Sequence, residues 1–197
     1  DLILFASPRS KHITISFKKN IYNIQLLHPD ITFTTIDIIF FCSTKEISLK
    51  YIPIAKKYKC FIIDNSSAFR LSPNIPLVIP EINGHLIKTS PIIANPNCST
   101  ILMNMVTWPI YEKVGIERII VSTYQAISGA GKDALHELEM QAFSFTHNKP
   151  YHTYHLGKQC LWNAFSHNSP IDSHTGYNEE ELKMIHETQK IFDDPTL

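Results

Sequence analysis

Short, continuous apolar runs that end in polar clusters make up the first half of the chain. Residues 2–5 form the first run, residues 32–42 contain the second, and residues 60–63 form the third. Apolar side chains recur at helical spacing between the second and third runs, at Ile47, Tyr51, Ile54, Ala55 and Tyr58. Continuous apolar strands separated by an amphipathic helix are typical of an α/β fold whose parallel sheet is covered on both faces.

The second half begins with a fourth apolar run at residues 91–94, followed by a polar segment at residues 95–100. Helical spacing after this segment predicts a helix in which Pro109 marks a kink or an end. Residues 118–124 are rich in β-branched side chains and predict a strand. That strand would lead into a loop of small residues at 125–131.

The remainder of the chain predicts two helices and an irregular connection. The first helix runs from Lys132 to about Phe143, and the last from about Asn178 to Phe192. Residues 144–178 are polar and rich in histidine, and they predict irregular structure. No internal repeat or low-complexity tract is present.

Composition narrows the class of protein. The 197 residues carry 18 basic and 18 acidic side chains, for a formal net charge of zero, and 44% of them are hydrophobic. Such a chain can bury a core, which excludes a disordered tail. Its neutrality argues against a nucleic-acid or membrane-surface binder, and no apolar run approaches the ~20 residues of a membrane span. None of the six glycines precedes Gly84, so the first 83 residues contain no glycine-rich phosphate loop.

The cysteines indicate a reducing compartment rather than a disulfide framework. There are four, with no Cys-x-x-Cys pair, which suits reduced thiols in a cytosol-like compartment. His152, His155 and Cys160 suggest a metal site, but no fourth ligand lies at a usual spacing, so we predict no bound metal.

Cys98 differs from the other cysteines because it follows an apolar run and stands where a helix is predicted to begin. Backbone N–H groups and the positive end of the helix dipole favour a thiolate at such a position, which makes the sulfur a nucleophile. The alternative is that Cys98 is a small buried hydrophobic residue.

Several long motifs resemble, in the same order, segments of one enzyme family. Asn-Pro-Asn-Cys-Ser-Thr at residues 95–100, with Gln125 following 27 positions after Cys98, closely resembles the active-site segments of aspartate-semialdehyde dehydrogenases. Three further blocks match that family in the right order, at residues 64–70, 76–83 and 179–184. The resemblance implies an α/β protein with a partial Rossmann-like NADP-binding domain at residues 1–97. Part of an α+β catalytic and dimerisation domain would follow at residues 98–197.

The resemblance also implies a reaction and assigns residues to it. A cysteine thiolate adds to L-4-aspartyl phosphate, phosphate leaves, and NADPH reduces the thioester to L-aspartate 4-semialdehyde, in the biosynthesis of lysine, threonine and methionine. Cys98 takes the place of the nucleophile, and Gln125 that of the glutamine that orients the acyl group. The Gln125 amide can donate one hydrogen bond and accept another, although it is also consistent with a simple turn residue.

Substrate-binding positions follow from the same motifs. Arg70 and Lys183 match positions that hold the leaving phosphate, and Asn97 lies beside the nucleophile as a further donor. Glu180 matches the carboxylate that pairs with the substrate amino group. Glu180 and Lys183 would share one helix face, but a solvated surface pair is the alternative interpretation.

Two loops match cofactor-binding positions of the family. Ser7, Arg9 and Ser10 correspond to the turn that binds the 2′-phosphate of NADP, and an arginine after a strand suits that task. Ser128 and Gly129 correspond to the loop near the nicotinamide, where small residues let the backbone approach the cofactor.

The resemblance carries further expectations about the whole protein. Family members are homodimers or homotetramers acting on small molecules; we expect a cytoplasmic location, with a plastid location left open. The family's glycine-rich loop would precede Asp1, and its general-base histidine and carboxylate-binding arginine would follow Leu197, so we expect residues 1–197 alone to be inactive. Two alternatives stay open: an N-acetyl-glutamyl-phosphate reductase, whose cysteine has a Gly-Cys-Tyr context, and a decayed product with only a binding or dimerising role.

Overall fold

The computed structural model describes residues 1–167 and 169–197. The chain divides into two compact units. The first comprises Asp1–Val78 and Gly84–Asn95, and the second comprises Ile79–Asn83 and Pro96–Leu197. The domain boundary at residue 97 stays a prediction, because compact packing and family domain limits are different properties.

A small mixed sheet opens the first unit. It consists of β1 (Leu4–Ala6), β2 (Thr14–Phe17) and β3 (Asn20–Leu26), in the order β1–β3–β2. β1 runs parallel to β3, whereas β2 and β3 form an antiparallel hairpin. Lys18 and Lys19 form the hairpin turn with φ of 51° and 71°, the left-handed backbone that two-residue hairpin turns require.

A second, fully parallel sheet forms the centre of the first unit. Its strands are β4 (Ile38–Phe41), β5 (Phe61–Asp64) and β6 (Ile92–Ala94), in that order, with α1 (Lys45–Ala55) between β4 and β5. β6 is buried along its whole length. The predicted parallel α/β arrangement is therefore confirmed.

Coverage of the two sheets by the described residues is uneven. The first apolar run joins the small mixed sheet through β1, which is only half-buried. On β4, Ile38 and Phe40 are 53% and 65% exposed. Successive strand side chains point to opposite faces, so the described residues cover only one face of β4.

The second unit is helical. Its helices are α2 (Pro80–Asn83), α3 (Cys98–Val114), α4 (Lys132–Thr146) and α5 (Glu179–Phe192). The three long helices lie where the sequence predicts them. Pro109 lies inside α3 and does not end it.

The predicted strand at residues 118–124 is absent. The segment has no regular structure, and Ile120 and Tyr124 are 84% and 93% exposed. β-Branched residues favour a strand only where a partner strand supplies hydrogen bonds and packing. None of the described residues pairs with this segment.

An aromatic cluster joins α3 to α5 within the second unit. The Phe192 ring centroid lies 5.0 Å from that of Trp108 and 4.9 Å from that of Tyr111. Nearby, the Thr188 hydroxyl donates to the Asn104 side-chain oxygen at 3.0 Å, and both residues are buried. Apolar packing and a buried hydrogen bond together fix α5 against α3.

Phe192→Ala should therefore destabilise the protein. Phe192 is only 6% exposed, and removing a buried phenylalanine ring costs about 3–5 kcal/mol through lost burial and a residual cavity. Urea denaturation measures the change. Phe145→Ala on α4 is the control, because Phe145 is 57% exposed and should change the free energy of unfolding by less than about 0.5 kcal/mol. Equal losses in the two variants would contradict this assignment of the core.

Asp194 should make stability depend on acid pH. Hydrogen bonds from Thr196 and then from Tyr111 hold the pKa of the Asp194 carboxyl below its ordinary value. Its contribution is present above the unfolded pKa of about 3.9 and is lost as pH falls through the lower folded pKa. The difference in unfolding free energy between wild type and Asp194→Asn should shrink from pH 6 to pH 3.

Tyr111→Phe serves as the graded control for this pH effect. The substitution keeps the ring but removes the 2.7 Å hydrogen bond to Asp194, while the Thr196 contacts remain. The difference in unfolding free energy between wild type and this variant should therefore shrink from pH 6 to pH 3 by a smaller amount than the difference between wild type and Asp194→Asn. If the unfolding free energies of wild type and Asp194→Asn differ by the same amount at every pH, the carboxylate does not have this role.

Candidate active site

Cys98 is the first residue of α3, where the sequence predicts that a helix begins, and it is exposed. The preceding residue caps the helix, since Asn97 Oδ1 accepts from the N–H groups of Ser99 at 2.8 Å and Thr100 at 3.4 Å. Among the described residues, no hydrogen bond uses the N–H of Cys98. The thiol therefore faces solvent at the positive end of a 17-residue helix, a location that stabilises negative charge.

Two other cysteines lie in settings that disfavour a nucleophile. Burial raises the pKa of the Cys60 thiol. Burial, and then the charge of Glu137, raises the pKa of Cys160. A higher pKa leaves less thiolate at neutral pH, so neither residue competes with Cys98 for this role.

Three of the predicted site residues meet around the carboxylate of a fourth. Asn97 Nδ2 donates to Glu180 Oε1 at 2.9 Å, and Gln125 Nε2 approaches the same oxygen at 3.5 Å. Lys183 Nζ lies 3.6 Å from Glu180 Oε2 and 3.1 Å from Glu179 Oε1. Glu180 and Lys183 thus share one face of α5, as predicted, and Glu180 is the centre of the cluster.

The cluster presents both a negatively and a positively charged group to a ligand. The side chains of Glu180 and Lys183 are 13% and 26% exposed, so they are partly withdrawn from water but still accessible. A carboxylate suits an ammonium group, and a lysine suits a phosphate as a point charge. An amino acid that carries a phosphate would satisfy both.

Glu187 also contacts this region, although it is not among the site residues predicted from the sequence. Its Oε2 accepts the backbone N–H of Asn97 at 2.6 Å, and the residue is 1% exposed. The available signal was its spacing, because position 187 lies seven residues after Glu180 and so falls on the same helix face.

Arg70 belongs to the first unit and is held by backbone carbonyls. Its Nε donates to the Asn95 carbonyl at 2.9 Å, and one terminal nitrogen donates to the Asn65 carbonyl at 3.3 Å. The two asparagine side chains hydrogen-bond each other at 2.6 Å. The half-buried guanidinium is therefore fixed in orientation, which suits recognition of a planar or tetrahedral anion.

The Ser7, Arg9 and Ser10 turn lies directly after β1. Residues 8–10 form a single 3₁₀ turn, in which the Ser10 N–H donates to the Ser7 carbonyl at 3.0 Å. Ser7 and Arg9 are exposed. The turn presents two hydroxyls and a guanidinium.

Ser128 and Gly129 form part of a second exposed 3₁₀ turn, Ile127–Ala130, which precedes α4. No atom lies within 4 Å of the position that a Cβ would take at Gly129. The turn ends at Gly131, whose φ of 98° favours glycine. Its backbone is therefore open to approach by a ligand.

In the part of the chain that the structure describes, no group of three or more His, Cys, Asp or Glu side chains is arranged to hold a metal ion. Across the same residues, every helix is too short or too polar to span a bilayer.

Comparisons with known proteins match both ends of the chain to one family. Residues 1–90 match the semialdehyde dehydrogenase NAD binding domain, and residues 108–196 match the semialdehyde dehydrogenase dimerisation domain. Both matches agree with the fold class that the sequence predicts.

Curated relatives and a crystal structure extend this match over the whole chain. Aspartate-semialdehyde dehydrogenase of Aquifex aeolicus is 40% identical and aspartate-semialdehyde dehydrogenase 2 of Vibrio cholerae is 41% identical, each over 100% of this chain. The crystal structure of aspartate semialdehyde dehydrogenase II from Vibrio cholerae superposes with a TM-score of 0.93 at 40% identity, over 100% of this chain. In each case the chain spans 59% of the relative's length. The chain therefore belongs to the semialdehyde dehydrogenase family, and aspartate-semialdehyde dehydrogenases are among its relatives.

Proposed function

We propose that this chain carries the acyl-transfer and cofactor-binding residues of an NADP-dependent aspartate-semialdehyde dehydrogenase. The enzyme would convert L-4-aspartyl phosphate to L-aspartate 4-semialdehyde, in the biosynthesis of lysine, threonine and methionine. The observation that carries the proposal is the exposed Cys98 at the start of α3, directly after an Asn97 that is bonded to the Glu180 cluster. The names of the relatives at about 40% identity support it.

Cys98 performs the covalent step. Its thiolate sulfur adds to the acyl carbon of the substrate, a carbon–sulfur bond forms, and the carbon–oxygen bond to phosphate breaks as phosphate leaves. The positive end of α3 stabilises the thiolate before the attack. Splitting the reduction into thioester formation and thioester reduction replaces one difficult step with two easier ones.

The charged neighbours orient the substrate. Glu180 accepts hydrogen bonds from the substrate ammonium. The side-chain amide of Gln125 orients the acyl group by hydrogen bonding. Lys183, Asn97 and Arg70 bind the phosphate before and after it leaves. Lys183 already lies against two carboxylates, so the substrate ammonium and phosphate would replace part of an existing charge pairing.

The turn at residues 7–10 supplies the phosphate contacts that distinguish NADP from NAD. Its two hydroxyls and the exposed Arg9 guanidinium form a donor set that fits a 2′-phosphate. Ser128 and Gly129 would face the nicotinamide end, where the open surface at Gly129 leaves room for a ring. When bound, the nicotinamide supplies the hydride that reduces the acyl carbon.

We further propose a homodimer or homotetramer in the cytoplasm. The match to a family dimerisation domain supports association of copies. All four cysteines are free thiols, which suits a reducing compartment.

Cys98→Ser should lower turnover at least about a thousand-fold, because a hydroxyl is a far weaker nucleophile and nothing else forms the thioester. The assay is phosphate-dependent reduction of NADP with aspartate semialdehyde, using protein expressed from its complete reading frame. Cys42→Ser is the matched control, since Cys42 is also exposed and should keep full activity.

The same assay separates the alternatives. Turnover with N-acetylglutamate semialdehyde in place of aspartate semialdehyde would favour the reductase, and no turnover with either substrate would favour a non-catalytic product. An active Cys98→Ser variant would show that another residue is the nucleophile.

Arg9→Ala should raise the KM for NADP by about 10- to 150-fold and leave the KM for NAD unchanged, because only NADP carries the 2′-phosphate. The factor follows from about 1.5–3 kcal/mol for hydrogen bonds to a charged group. Arg118→Ala is the control, because Arg118 is an exposed arginine outside both proposed cofactor turns. Equal changes in the KM for NADP and for NAD would contradict the assignment of this turn to the 2′-phosphate.

A further inference from the structure

Glu187 is a buried carboxylate with an unusual partner. It lies on α5, is 1% exposed, and accepts the backbone N–H of Asn97 at 2.6 Å, a residue 90 positions earlier in the chain. Burying a carboxylate is costly unless hydrogen bonds compensate it. Charge-assisted hydrogen bonds of this kind are short and strong, so the contact constrains the position of the Asn97 backbone.

Asn97 is held through each of its polar groups. Glu187 accepts its N–H, its carbonyl accepts from the Ile101 N–H at 2.9 Å, and its side-chain oxygen caps the first turn of α3. Its side-chain nitrogen donates to Glu180 at 2.9 Å. Cys98 is the next residue, so little freedom is left to the backbone from which the thiol projects.

α5 therefore contacts the residue before the nucleophile twice. Glu180 binds the side chain of Asn97, and Glu187 binds its main chain. Glu180 and Lys183 are also the proposed substrate ligands on the same helix. One rigid element would in this way set both where the substrate lies and where the attacking sulfur lies.

We infer that Glu187 is a positioning residue for the reaction, which acts through the Asn97 N–H to align the Cys98 sulfur with the acyl carbon bound at Glu180. The inference rests on the proposed role of Cys98 as nucleophile. Misplacement of a reacting group by about 1 Å can cost about a hundred-fold in rate, so the effect of Glu187 belongs in kcat rather than in KM.

Two substitutions separate the position of the acceptor oxygen from its charge. Glu187→Gln keeps a side-chain oxygen at the same distance from the backbone and removes the charge. Glu187→Asp keeps the charge but withdraws the oxygen by about 1.5 Å, one carbon–carbon bond. If alignment is the role of Glu187, Glu187→Gln should retain kcat within about three-fold, whereas Glu187→Asp should lower kcat about 10- to 100-fold with little change in KM.

Thr188→Val is the matched control for a purely structural role. Thr188 is the neighbouring buried residue on α5, and its hydrogen bond to Asn104 also joins α5 to α3. This variant should lower the thermal midpoint as much as Glu187→Asp does, yet keep kcat within about two-fold. Loss of kcat in Thr188→Val equal to that in Glu187→Asp would overturn the inference.

Alkylation of Cys98 by iodoacetamide gives a readout that needs no bound substrate. A small freely diffusing reagent requires no alignment with Glu180, so the rate of alkylation in Glu187→Asp should stay within about three-fold of wild type while turnover falls. A full kcat in Glu187→Asp, or a Glu187→Gln variant as slow as Glu187→Asp, would refute the inference alone. A fully active Cys98→Ser enzyme would instead refute the proposed function on which it rests.

Discussion

The packing of α5 against α3 is the contact on which the candidate active site depends. Phe192 packs edge-on against Trp108 and tilted against Tyr111 at one end of the contact. At the other end, Glu187 and Glu180 bind Asn97. The apolar end contributes most of the free energy that stabilises the contact between α3 and α5, because burying an aromatic ring stabilises more than one net hydrogen bond does. The polar end fixes the position of Asn97, the residue before Cys98, through short charge-assisted hydrogen bonds.

The elements that were predicted correctly are those with strong local signals. α5 begins at a capping box formed by Asn178 and Glu181, and its position can be inferred from sequence because the partners are three residues apart. The β2–β3 hairpin was missed, although Ile13, Ile15 and Phe17 alternate with polar residues. Its turn uses Lys18 and Lys19 rather than the usual glycine or asparagine, so the customary turn signal is absent.

Residues whose role depends on distant partners could not be predicted in the same way. A glutamate in a polar helix is ordinarily a surface residue, and only the tertiary fold shows that Glu187 is buried against a backbone N–H. The strand expected at residues 118–124 failed for the converse reason. Its β-branched residues satisfy the local preference, but a strand also needs a neighbour, and the described residues provide none. The motifs single out Asn97, Gln125 and Glu180 as candidates, whereas the hydrogen bonds among these side chains required the structure.

Asn95 and Asn97, on either side of Pro96, are held by different means. Within the first unit, Arg70 donates to the carbonyl of Asn95. Within the second unit, Glu180 and Glu187 bind Asn97. Only Pro96 lies between these points, and its ring fixes φ and restricts the residue before it. Because Pro96 restricts the backbone and α5 holds Asn97 through two hydrogen bonds, the residue that follows Asn97 is a suitable place for a nucleophile that must be held still while its substrate is exchanged.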